Sequence, residues 1–352
     1  MTVDVIIACW NRADTILGAI RSALDQPEVH QVIVVDDGST DGSAELAETL
    51  GGDDARLVVL RQAHNQGPSA ARNRALDAAT AEWVAVLDAD DFLLPGRFGA
   101  VLTHADDADF LADDLLQVPA SHPSPDLATP LLGVTADWWP YVDLARFVRG
   151  NIPRSGQKRR EMGFLKPLMR RSFIEAHGLR YHSGLRLGED FIFYARALAA
   201  GARFRLLPAA GYVAVMREDS LSGQHGLRDL EALLAQSEVF LADPGLARPD
   251  RRALLQHCLH VRKKMAWLQM ITAVKARNRR LFLAGFRAPP QVVGHVIGCL
   301  LDQVRRRGMA FIGRCVRGAV PRAAPLVETP KAADRPEREC VKIGLTKEMR
   351  RI

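Results

Sequence analysis

Cysteine is sparse in this chain and poorly placed for chemistry. The five cysteines, Cys9, Cys258, Cys299, Cys315 and Cys340, are odd in number, and no two have metal-ligand spacing. A disulfide framework is therefore not expected, and Cys9, inside an apolar run, reads as a small core residue. Long apolar runs are missing too. A membrane-spanning helix needs roughly 18–20 apolar residues, and the nearest approach, Gln291–Leu301, is interrupted by His295 and ended by Asp302. The N-terminus places no basic region ahead of an apolar segment, which argues against a secretory signal. No candidate strand is followed by G-x-G-x-x-G, and G-x-x-x-x-G-K-[ST] does not occur. These absences argue against a dinucleotide dehydrogenase and a P-loop enzyme. They leave a soluble, cytoplasmic protein as the expectation.

What is present is the composition of a globular protein. The chain is 48% hydrophobic and 25% charged over 352 residues, enough for a full core and more than one compact domain. Its formal net charge is +6, and the distribution matters more than the size. Basic residues crowd Arg248–Arg322, whereas the first half is acid-rich. That asymmetry points to a negatively charged partner surface, for which membrane headgroups and nucleic acid both qualify.

Strand and helix patterns alternate from Val3 to Leu87. Apolar strands are expected over Val3–Cys9, Gln31–Val35, Leu57–Arg61 and Trp83–Leu87. Between them, Asp14–Gln26 carries Ile16, Ala19, Ile20, Ala23 and Leu24 at helical spacing. Asp41 is placed to cap a helix over Gly42–Leu50, and Pro68 suits the first turn of a helix running to Thr80. The pattern predicts a parallel, helix-covered sheet, and in such sheets ligands bind beyond the carboxyl ends of the strands. Polar residues gather there: Asn11, then Asp36 and Asp37, then Asp88, Asp90 and Asp91 in W-V-A-V-L-D-A-D-D. The last three repel one another unless something positive sits among them. A hard divalent cation, Mg²⁺ or Mn²⁺, suits carboxylate and phosphate oxygens. The other reading is a plain acidic turn.

The order of motifs resembles the family 2 glycosyltransferases with the GT-A nucleotide-sugar-binding fold, of the bacterial exopolysaccharide and succinoglycan type. The matching pieces are V-I-I-A-C-W-N-R, V-V-D-D-G-S-T-D, N-Q-G-P-S-A-A-R-N, L-D-A-D-D, G-F-L-K-P-L-M-R-R and L-G-E-D-F-I-F, within residues 1–220. Ala8 departs from the family's usual proline, while Trp10 keeps its aromatic. The resemblance implies a Rossmann-like, mixed but mainly parallel sheet with helices on both faces over residues 1–225. A basic helical region over 226–323 and a disordered tail over 324–352 would follow.

The same resemblance implies a UDP-sugar donor, glucose as first guess, with Mn²⁺ or Mg²⁺ held by Asp90. Cys9, Asn11, Asp37, Arg72, Asp88 and Arg217 would surround the nucleotide. Asp37 is similar in position to the residue that reads the uracil N3–H, a sensible pairing because a carboxylate only accepts. The other reading of Asp36 and Asp37 is a capped turn before a helix. Arg72 either contacts base or ribose or pairs with Asp36 or Asp37. Asp88 resembles the residue near the ribose, and Arg217 either stabilises the departing UDP or is solvated. Asp190, opening a helix over Phe191–Ala200, resembles the general base that deprotonates the acceptor hydroxyl, with Glu189 orienting acceptor or base. Its alternative is a helix-terminal acid of structural use.

Between the two halves, Phe98–His104 reads as helix, Asp109–Val118 as one strand bearing the pair Asp113-Asp114, and Ser121–Pro130 as a loop. Trp138-Trp139-Pro140-Tyr141 is either core or a stacking platform for an acceptor sugar. From Leu227 the pattern is helical and basic, fit either to lie on anionic lipid or to pack as a subdomain with a solvated face. The reading as a whole is an inverting transferase acting on a lipid-linked glycan acceptor at the inner face of the cell membrane, with no nucleic acid partner. A sugar-1-phosphate nucleotidyltransferase would need a glycine-rich, arginine-bearing loop where Cys9-Trp10-Asn11-Arg12 stands. A silent nucleotide-sugar-binding module is at odds with the intact Asp37, Asp88, Asp90 and Asp190.

Overall fold

The computed structural model describes residues 1–135, 141–153, 161–217 and 226–318, the side chains of 306–318 excepted. The described residues group into two compact units, one running through Cys258 and one from Leu259 onward. In chain order the strands of the first unit are β1 (Val3–Cys9), β2 (Val29–Asp36), β3 (Leu57–Arg61), β4 (Trp83–Val86), β5 (Phe92–Leu93), β6 (Phe110–Asp113), β7 (Leu116–Pro119), β8 (Thr129–Pro130), β9 (Leu168–Arg170), β10 (Phe204–Leu207) and β11 (Tyr212–Met216). Its helices are α1 (Ile16–Leu24), α2 (Ser43–Gly51), α3 (Pro68–Ala78), α4 (Arg97–Leu102), α5 (Leu144–Gly150), α6 (Arg171–Ala176), α7 (Glu189–Ala199) and α8 (Leu227–Leu241). Then come α9 (Arg248–Lys275), α10 (Arg279–Ala284) and α11 (Pro290–Gly318).

The main sheet has seven strands in the order β10-β6-β9-β4-β1-β2-β3. All its pairings are parallel except those of β9, which runs antiparallel between β4 and β6. Successive side chains of a strand point to opposite faces, so the burial of every residue in β4 means both faces are covered there. α1 buries Ile16, Ala19, Ile20 and Ala23 of the stripe its sequence spacing predicts, and leaves Leu24 half-buried. α2 starts one residue later than expected. Gly42, in a left-handed conformation at φ 90°, occupies the cap position, and the Asp41 carboxylate still accepts the Ser43 N–H at 3.0 Å.

The single strand expected over Asp109–Val118 is two strands in different sheets. β6 joins the main sheet, whereas β7 joins a small second one, ordered β5-β11-β7-β8. The acidic pair at the break is the cause. Asp113 takes the fully buried Arg97 at 2.7 Å, and the oxygens of Asp114 accept the Leu132 and Val134 N–H groups, both at 2.9 Å. These carboxylates staple the switch between sheets. The Ser121–Pro130 loop contains a 3-10 turn at Pro125–Leu127 and ends in β8. Of the aromatic cluster only Tyr141 is among the described residues; it is exposed and donates its hydroxyl to Asp107 at 2.6 Å.

α7 is less amphipathic than expected, since Asp190 to Ala195, Ala197 and Leu198 are all buried. Phe147 stacks on Phe191 at 5.6 Å, and His257 stacks on the same ring at 4.3 Å. The helix runs through the core, and its first turn opens at the sheet's ligand edge. The second unit has its own small core of Ala266, Met270, Val292 and Val296, flanked by Trp267, Phe282 and Phe286. No helix among the described residues is long and apolar enough to cross a membrane. The tail after Gly318, and Ser220-Leu221-Ser222, lie outside the described residues.

Candidate active site

The loops after β1 and β2 are locked together by side chains that the sequence places at the strand ends. Asn11 sits at φ 51°, a left-handed position that asparagine tolerates. Its backbone N–H donates to Ser39 Oγ and its Oδ1 accepts the Thr40 N–H, both at 2.9 Å. Cys9 is buried; burial and the neighbouring Asp36 push its thiol up to about 12 against the Ser43 hydroxyl, so it is a neutral core thiol. Asp36 accepts the Ser39 N–H at 3.1 Å.

Asp37 organises the next loop. Its Oδ1 accepts from Gln62 Nε2 and from the Gln66 N–H, both at 2.7 Å, and its Oδ2 accepts the Gly67 N–H at 2.8 Å. Burial raises its carboxyl above the ordinary range, and the Gln66 and Gly67 N–H groups oppose that shift. One carboxylate thereby fixes the approach to α3.

Arg72, on the buried face of α3, does not pair with Asp36 or Asp37. Its Nη2 lies 2.8 Å from Asp88, and its Nη1 lies 3.1 Å from Glu189 and 3.2 Å from Asp190. Asn73 turns the helix that way, exchanging two hydrogen bonds of 2.8 Å with the backbone of Tyr181. The Tyr181 ring in turn lies 5.5 Å from the Arg72 guanidinium.

A second cation completes the group. Lys166 Nζ lies 3.0 Å from Asp88 Oδ2 and 2.8 Å from Asp190 Oδ2. Sequence reasoning passed over it, although a lone lysine in the otherwise apolar Phe164–Met169 was a usable signal. Three carboxylates thus face two cations, one negative charge in excess. Burial disfavours each charge, but the Lys166 and Arg72 charges hold Asp88 well below the usual carboxylate range. Burial likewise pulls Lys166 and Arg72 down, and the Asp190 and Asp88 carboxylates more than offset it. Glu189 is raised by burial and by Asp190.

Asp90 stands apart from this network. Its nearest cation is Arg12, 3.4 Å away, and burial and Asp88 raise its carboxyl. Asp91 points inward instead, accepting Tyr212 OH at 2.8 Å and the Val215 N–H at 2.9 Å, which joins the end of β4 to β11. Arg217 is not a solvated arginine; it pairs with Asp14 at 3.0 Å. No group of three or more His, Cys, Asp or Glu side chains suited to a metal occurs among the described residues. Mg²⁺ is commonly held by one or two carboxylates together with substrate phosphates. Asp90, whose one ion pair among the described residues is with Arg12 at 3.4 Å, fits the part of single protein ligand, whereas Asp88 is engaged by both Arg72 and Lys166.

This edge of the sheet can be set beside known proteins. The family model described as glycosyl transferase family 2 matches residues 4–119. The succinoglycan biosynthesis protein ExoU of Rhizobium meliloti is 40% identical over 318 residues, covering 87% of this chain and 90% of that protein. The chain belongs to glycosyl transferase family 2. A shorter stretch of this family 2 glycosyltransferase, 91 residues covering 26% of it, is 35% identical to the Escherichia coli UDP-Glc:alpha-D-GlcNAc-diphosphoundecaprenol beta-1,3-glucosyltransferase WfaP, of which it covers 36%. Among solved structures, residues 1–349 of S. aureus TarS in complex with UDP-GlcNAc match with a TM-score of 0.62 at 20% identity, covering 84% of each chain. That likeness is one of fold, the GT-A fold. The chain is thus a transferase by family.

Proposed function

We propose that this glycosyltransferase inverts, moving a sugar from a UDP-sugar, glucose as first choice, to a hydroxyl of a growing glycan. The observation that carries the reading is the meeting of Asp88 from the end of β4 with Glu189 and Asp190 from the head of α7, across Arg72 and Lys166. Asp190 is the general base. Each of its oxygens accepts one bond from a cation, and a carboxylate offers about four acceptor positions, so room is left for a hydroxyl. The acceptor oxygen bonds to the anomeric carbon as the bond to UDP breaks. The hydroxyl proton passes to Asp190, and UDP leaves with the electron pair. One displacement turns an α-linked donor into a β-linked product. Asp90 is proposed to hold Mn²⁺ or Mg²⁺, which supplies charge neutralisation at the diphosphate. Glu189 orients the acceptor side, and Asn11, Asp37, Asp88 and Arg217 border the donor.

The donor choice is supported by the UDP-sugars in the names of WfaP and the TarS complex. The diphosphoundecaprenol in the WfaP name, together with the basic second unit, supports a lipid-linked acceptor at a membrane surface. The test is UDP release from a panel of UDP-sugars by wild type and Asp190→Asn. The variant is expected to keep the fold and UDP affinity while turnover falls about 10²–10⁴-fold, the range for loss of a general base. Near-normal turnover by folded Asp190→Asn would overturn the mechanism.

A further inference from the structure

Lys166 lies at the centre of the charged network, its side chain 6% exposed. A buried ammonium is costly unless paired, and this one is paired twice. It reaches Asp88 on the strand side and Asp190 on the helix side, two carboxylates from distant parts of the sequence. Arg72 already touches both from α3. A second cation is therefore not needed to bring them together. Its effect is to hold the Oδ2 of Asp190 while Arg72 holds the Oδ1.

We propose that Lys166 is a positioning residue for transfer, holding Asp190 in place for the acceptor hydroxyl and setting the acid limit of turnover. The inference rests on the reading of Asp190 as base. The charged groups facing Asp190 are Arg72 from α3, Lys166 from the segment before β9, Asp88 beyond β4 and Glu189 on its own helix. The nearby hydroxyls of Tyr181 and Tyr194 are kept neutral by burial. Without the ammonium, one guanidinium remains among three carboxylates. A carboxylate that loses an adjacent positive charge holds its proton to higher pH, so the acid limb of the rate profile moves upward.

The experiment measures UDP release against pH, with whichever UDP-sugar of the panel turns over, in wild type, Lys166→Met, Lys166→Gln, Lys166→Arg and Asp190→Asn. In parallel, the carboxyl ¹³C signal of Asp190, identified by its loss in Asp190→Asn, is titrated with no need for turnover. The neutral variants are expected to show a slower rate and an acid limb and carboxyl midpoint raised by about 1–3 pH units. Lys166→Arg is expected to restore both. A folded neutral variant with wild-type limb and midpoint would overturn the proposal. So would unfolding of both neutral variants beside a Lys166→Arg protein that is normal, since that outcome assigns Lys166 to stability alone. Turnover retained by Asp190→Asn would instead remove the base itself.

Discussion

At the scale of single residues, the acids after β4 divide the work by what surrounds them. Asp88 is bound by two cations, Asp91 by a tyrosine hydroxyl and a backbone N–H, and Asp90 has Arg12 at 3.4 Å with the charge of Arg217 also acting on it. Burial and repulsion from Asp88 raise Asp90, so a cation arriving there removes an unfavourable charge. Asp90→Ala is therefore expected to reduce UDP affinity to the value wild type shows in EDTA, with no further loss on adding EDTA to the variant. Isothermal titration with and without Mn²⁺ measures it, and equal metal-dependent affinity in both proteins would contradict the assignment. The three acids after β4 were legible in the sequence as a group. Their separate environments were not, because Lys166, Arg72 and Tyr212 reach them from segments far away in the chain.

At the scale of elements, the head of α7 depends on one glycine. Gly188 sits at φ 74°, and a Cβ there would come within 2.9 Å of Leu233 Cδ1 in α8. A left-handed conformation costs a residue with a side chain roughly 1–2 kcal/mol, and the contact with α8 adds to that. Gly188→Ala is thus expected to lower stability by about that amount or more, and to slow transfer because Glu189 and Asp190 follow directly. Denaturant unfolding checks the first part, and an unchanged midpoint would show that the turn tolerates the side chain. The L-G-E-D order announced a helix start. Why the helix starts in the core rather than on a surface is visible only in the stacking of Phe147 and His257 on Phe191.

At the scale of the whole molecule, charge is divided between the units. Leu259 to Arg305 carries nine Arg or Lys residues and one acid, Asp302. α11 packs Val292 and Val296 into the small core of the second unit but leaves Ile297, Leu301 and Val304 exposed at helical spacing. Gly294 and Gly298 lie beside that stripe, and a Cβ on either would meet nothing within 4 Å. An apolar stripe in so basic a unit suits an anionic bilayer, where each nearby Lys or Arg contributes about 1 kcal/mol. A second copy with the same charge would be repelled. Flotation with anionic vesicles at low salt is the expected result, weakened by Leu301→Asp and by high salt, with no flotation on neutral vesicles. Failure to float with anionic vesicles at low salt would leave the basic face merely solvated.

The sequence by itself determined the strand and helix alternation from Val3 to Leu87, because apolar spacing is a local property. It also placed Asn11, Asp37, Asp88 and Asp190 at element ends, where parallel sheets collect ligands. Tertiary structure alone decided the split of Asp109–Val118 between two sheets and the antiparallel insertion of β9. It also decided the partners of Arg72. In each case the cause is a contact between residues far apart in sequence, such as Arg97 with Asp113 or Lys166 with Asp88. Local patterning fixes which segments can form and which way their side chains alternate. Which buried charges meet depends on how those segments pack.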